Sequence, residues 1–63
     1  MKNSIKALRK NKNLRQEDLA EILGVTRQTI IAIENNKYDP TLELAMKISE
    51  YFGLTVNEIF QLK

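Results

Sequence analysis

Counted at 100° per residue, Gln28, Ile31, Ala32 and Asn35 share one side of the run from Arg27 to Asn35, and Ile30 and Ile33 share the other. Arg27 lies near the margin, in the first turn. A primary amide, a guanidinium and apolar groups on one face are the chemistry needed to read base edges in a major groove. The amide can pair bidentately with adenine, the guanidinium can reach guanine or a phosphate, and an apolar side chain can touch a thymine methyl. Arg27, Gln28, Thr29, Ile31 and Ala32 are the predicted base contacts. Ile31 beside Ala32 is unusual for a solvated face when Ile30 already serves the core. Taken singly, Ile31 fits a partner-protein contact or an incidental surface apolar group equally well, and Gln28 fits a solvated helix residue.

Gln16 and Thr26 stand at the starts of two helices, where free backbone amides and the helix dipole attract phosphate. Asn35, Lys37 and Tyr38 follow the reading helix and can grip the same backbone, and Arg15 adds a cation beside Gln16. These residues are the predicted phosphate contacts. Glu34 falls between the two faces and points toward the first helix, where Arg9 is its expected partner in a structural ion pair. Nothing suggests catalysis. His and Cys are absent, no Gly-rich phosphate loop occurs, and Glu17, Asp18 and Glu21 lie on a helix rather than in a cleft. No metal, cofactor or small-molecule ligand is expected.

The elements that must position these groups follow from spacing. Leu19 and Leu23 lie one turn apart on a helix of Gln16 to Leu23, Ala20 faces the crossing with the next helix, and Gly24 supplies a positive φ at the exit. Val25 fills the bend and Thr26 caps the helix from Arg27 to Asn35. Upstream, Ile5, Leu8 and Arg9 predict a helix over about 4–11, with Asn3 or Ser4 as cap and Asn13 left-handed at its end. Downstream, Asn36 takes a terminator position, Pro40 breaks the chain, and Thr41 opens a fourth helix striped by Leu44, Ala45, Ile48 and Phe52. Gly53 closes it. Thr55 and Glu58 form a capping box for a last short helix with Ile59 and Phe60. No strand is well supported, although Gln61 to Lys63 can extend and pair.

A chain of 63 residues is one domain, and it buries only about 60% of the surface exposed on unfolding. Without disulfides or zinc ligands, helix packing must supply the core, alone or aided by a partner subunit. The net charge is only +2, yet residues 1–15 hold Lys2, Lys6, Arg9, Lys10, Lys12 and Arg15 with no acid, which favours a polyanion partner. No apolar run has the length of a signal peptide or membrane span, so a soluble cytoplasmic protein working at the nucleoid is expected.

The segment LRKNKNLRQEDLAEILGVTRQTIIAIENNKYDPTLELAMKIS resembles the Cro/C1-type (XRE) helix-turn-helix family of prokaryotic and phage repressors. The match covers almost the whole chain and is similar to the family's compact single-domain regulators. It implies an all-α, five-helix, lambda-repressor-like domain over residues 1–63 that binds double-stranded DNA as a homodimer and regulates transcription. In the family pattern Gln16, Thr26, Arg27, Gln28, Ala32, Asn35 and Lys37 fall at DNA-contact positions, and Arg9 and Glu34 at a structural ion pair. The chain departs from the pattern at Arg15, where Ser or Thr usually caps the second helix, and at Asn13 and Asn36, where Gly is frequent. One domain reads few bases, so a two-fold dimer on a palindrome is the route to specificity, with repression the expected outcome. Tyr51, Leu54, Val56, Phe60 and Leu62 are the predicted dimer surface; the alternative for most of them is closing the core. A different class of function, an antitoxin-like or adaptor module that binds protein, would use Ile31, Met46 and the apolar tail. Binding that ignores salt would mark it.

Overall fold

The computed structural model describes residues 1–62 and arranges five helices and two short strands in the order β1 (Lys2–Asn3), α1 (Ile5–Asn11), α2 (Gln16–Leu23), α3 (Arg27–Glu34), α4 (Leu42–Phe52), α5 (Val56–Ile59) and β2 (Phe60–Gln61). The positive-φ residues among them are Asn13, Gly24, Asn36 and Gly53 (φ 58°, 74°, 61° and 69°), and each ends one of the first four helices. At α1, α2 and α3 the two amides after the last turn fold back in the same way. Asn13 and Leu14 donate to Lys10 and Arg9, Gly24 and Val25 to Glu21 and Ala20, and Asn36 and Lys37 to Ile33 and Ala32. This Schellman closure satisfies carbonyls that the helix itself leaves free. A Cβ built on Gly24 would meet nothing within 4 Å, so glycine is favoured there by its φ and not by crowding.

The helix starts are equally local. Thr26, Thr41 and Thr55 accept through Oγ1 from the amides of Thr29, Leu44 and Glu58, at 3.2, 3.2 and 3.1 Å. Glu58 answers Thr55 by accepting its amide at 2.8 Å, completing the capping box. Arg15 has no side-chain acceptor, and α2 is capped from the other side: Asp18 Oδ2 accepts the Arg15 amide at 2.8 Å. At α1 the cap is shared. Ser4 is the boundary residue, but Asn3 Oδ1 takes the Ile5 amide at 3.1 Å, while the Ser4 amide donates to the Ile59 carbonyl at 3.0 Å.

The core is formed by Ile5 of α1, Leu19, Ala20 and Leu23 of α2, Ile30 and Ile33 of α3, Leu44, Ala45 and Ile48 of α4, and Ile59 with Phe60. Ala20 is buried in this core, on the helix that packs against α3. Phe52 and Leu8 pack against this core half-buried. Three sequence expectations are corrected. Helix α3 ends at Glu34, because the left-handed Asn36 already turns the chain and leaves Asn35 as its boundary residue. Phe60 is not helical; it leaves α5 extended and begins β2, which pairs antiparallel with β1 in the register Lys2↔Gln61 and Asn3↔Phe60. With only 6% of its surface exposed, Phe60 closes the core and has almost none to offer a dimer partner. Lys63, the end of the expected extended tail, lies outside the described residues. Among the described residues no helix is long and apolar enough to cross a membrane.

Candidate nucleic-acid interface

Helix α3 is only eight residues long, too short to hold its own orientation, so its two ends and one face must be fixed by neighbours. Ile30 and Ile33 anchor the face in the core. The C-terminal end is held by an ionic cluster. Arg9 donates from Nε to Glu34 Oε2 at 2.7 Å and from Nη2 to Oε1 at 3.2 Å, and from Nη1 to the Leu14 carbonyl at 2.8 Å. Gln16 Nε2 adds a third donor to Glu34 Oε1 at 3.1 Å. With side chains 8% and 2% exposed, Arg9 and Glu34 form a buried pair that stitches α1, the α1–α2 loop, the start of α2 and the end of α3. Every buried side-chain polar atom of the described residues has a partner. Such a pair holds geometry more surely than it adds stability, because desolvation offsets most of the attraction.

A further tie was not foreseen from sequence. Asn3 Nδ2 donates to the Ile33 carbonyl at 2.8 Å and approaches Asn36 Oδ1 at 3.4 Å, so β1 clasps the last turn of α3 while its oxygen caps α1. Asn ahead of a helix was the one available signal, and it indicated the cap alone.

With the helix fixed this way, Arg27 and Gln28 are exposed in its first turn, and Ile31 and Ala32 are half-buried one turn later. Thr29 is also half-buried, with its Oγ1 3.0 Å from that of Thr26, so it supports the cap. Thr26, Asn35, Lys37 and Tyr38 are exposed. The bond to Glu34 sets Gln16 beside the turn that carries Asn35 and Lys37. It uses one hydrogen of the Gln16 amide and leaves the second for a ligand. Arg15 is exposed, with its guanidinium 3.4 Å from Asp18 and 3.8 Å from Glu17. The Arg15 amide bonded to Asp18 holds that carboxyl below its ordinary value, with the guanidinium adding to the shift. Of the dimer candidates, Tyr51, Leu54 and Val56 are half-buried and Leu62 is exposed. Among the described residues no cluster of His, Cys, Asp and Glu could hold a metal ion.

Comparison with known proteins bears on this arrangement. The Helix-turn-helix family model matches residues 5–59. An uncharacterized HTH-type transcriptional regulator of Methanocaldococcus jannaschii is 60% identical over 60 residues, covering 95% of this chain and 91% of its own length. The uncharacterized HTH-type transcriptional regulator YgzD of Bacillus subtilis is 46% identical over 63 residues, covering 100% of this chain and 96% of its own. An uncharacterized HTH-type transcriptional regulator of Archaeoglobus fulgidus is 43% identical over 60 residues, covering 95% and 84%. With α2 and α3 joined across the Gly24 turn and the family match running from α1 to α5, the chain belongs to the Cro/C1-type (XRE) helix-turn-helix family, which is not a family of enzymes.

Proposed function

We propose that this protein is a transcriptional regulator that binds double-stranded DNA sequence-specifically, lays α3 in the major groove, and represses by occupying a palindromic operator as a homodimer at the nucleoid. The observation that carries the reading is the outer face of α3. It presents Arg27, Gln28, Ile31 and Ala32 on a helix whose core face and C-terminal end are both fixed. A pre-set helix can place an amide within bidentate reach of one adenine edge, where a mobile one would spread its contacts over several bases. Gln16, Thr26, Asn35, Lys37, Tyr38 and Arg15 then serve the flanking phosphates, and Arg9 with Glu34 holds the frame. A single domain offers few base contacts, which is why the reading includes a second copy on an inverted half-site.

Selection of bound sequences from a random duplex pool tests this directly. The expected product is an enriched pair of inverted half-sites about one helical turn, roughly 10 base pairs, apart. Binding to that product should weaken steeply as salt rises, since each neutralised phosphate releases counterions. A pool that stays random, or binding indifferent to salt, would overturn the proposal.

A further inference from the structure

The structure divides the cations of the acid-free start into those with a partner and those without. Arg9 is committed to Glu34 and the Leu14 carbonyl, Arg15 faces Glu17 and Asp18, and the Lys12 ammonium lies 5.3 Å from the centre of the Tyr51 ring. Lys6 and Lys10 of α1 are exposed and belong to no ion pair among the described residues. Both are also placed at a cost. They lie four residues apart, where like charges repel on a helix surface, and Lys6 stands in a first turn without an acid, at the positive end of the helix dipole. Helices α2, α4 and α5 follow the opposite rule, with Glu17 and Asp18, Glu43, and Glu58 in their first turns. Only α3 shares the exception, with Arg27 at its start and no acid beside it. There the exception answers an anionic partner. A residue choice that destabilises the free helix and gains nothing within the chain points to a ligand for α1 as well.

We infer that Lys6 and Lys10 grip the phosphate backbone of the operator beside the base pairs that α3 reads, lengthening the footprint of each copy without adding sequence preference. This contact rests on the DNA reading proposed above and widens its footprint. Its place follows from what α1 touches around its axis. Ile5 points into the core, Lys12 at the C-cap turns to one side and meets Tyr51 of α4, and Arg9 turns to the other and meets Glu34 at the end of α3. At 100° per residue, continuing past Arg9 in the same direction reaches Lys6 and then Lys10. Both therefore stand on the flank of α1 that lies past the last turn of α3, the turn that leads into Asn35 and Lys37. A DNA strand held by Asn35 and Lys37 continues alongside that flank. Flexible lysine stems suit such a contact, where charge matters and a fixed angle does not.

The test uses the double variant Lys6→Gln with Lys10→Gln, and single half-site duplexes either trimmed to the selected bases or extended at each end by about one helical turn, roughly 10 base pairs, of random sequence. Both lysines are exposed and unpaired, so the variant should keep the wild-type circular dichroism, and its melting temperature should hold or rise as the repulsion is relieved. The wild type should bind the extended duplex more tightly than the trimmed one. The variant should lose that gain, and its logarithmic salt slope on the extended duplex should flatten by about 2, roughly 0.9 for each phosphate contact. The selected bases should not change. A charge-matched control, Lys12→Gln with Lys47→Gln, removes as many cations from the α4 side and should retain the gain. Equal losses in the two double variants would reduce the effect to net charge and overturn the contact, as would a Lys6→Gln with Lys10→Gln chain that keeps the full gain. Either result leaves the reading by α3 standing. A wild-type chain that selects no half-site would sink that reading, and the flanking contact with it.

Discussion

Glu34 serves more donors than any other side chain of the candidate site: Arg9 Nε, Arg9 Nη2 and Gln16 Nε2 all reach its carboxylate. Glu34→Ala strands a buried guanidinium and should cost about 3–5 kcal/mol in urea unfolding. The paired change Arg9→Met with Glu34→Leu removes both charges and should recover most of that loss. It should not recover DNA affinity, because Gln16 is then no longer held toward the phosphate. Full recovery of binding would reduce the cluster to a purely structural device. On the outer face, Gln28→Ala should cost about 1–3 kcal/mol at one base position and relax preference there, whereas Lys37→Ala should weaken all duplexes alike and flatten the salt slope. Equal losses on specific and random DNA would erase that division between base and backbone contacts.

At the scale of the element, the helices are defined mostly by their ends. Gly24 and Asn36 occupy equivalent left-handed positions after α2 and α3. Asn36→Gly should raise the unfolding free energy slightly, and Gly24→Ala should lower it by about 1–2 kcal/mol, the cost of a Cβ at that φ. Chemical denaturation of the two variants checks the contrast. At the start of α2 the Asp18 carboxylate caps the Arg15 amide, and that amide is the main cause of its lowered pKa. A depressed folded pKa contributes stability above the unfolded value, and the contribution fades as pH falls below the ordinary 3.8 toward the lower folded value. Melting temperatures of the wild type and Asp18→Asn should therefore differ at neutral pH and converge in acid. A constant gap would show that the cap does not titrate with Asp18.

Across the whole molecule, what sequence revealed was whatever is local. Caps at Thr26, Thr41 and Thr55, the left-handed ends and the Leu19–Ala20–Leu23 face depend on residues a few positions apart, and their types announce them. Phe60 reads as helical because its apolar spacing continues α5, while pairing with Asn3 at the other end of the chain draws it out into a strand. The hold of Asn3 on Ile33 spans thirty positions and has no periodicity to betray it. That hold also makes Asn3 a latch that can be tested apart from the core. A carboxylate in its place would face the Ile33 carbonyl without a proton to share, while its other oxygen could still take the Ile5 amide. Asn3→Asp should therefore release the end of the reading helix and bind an operator more weakly, and operator binding equal to the wild type would show that α3 keeps its orientation without the latch.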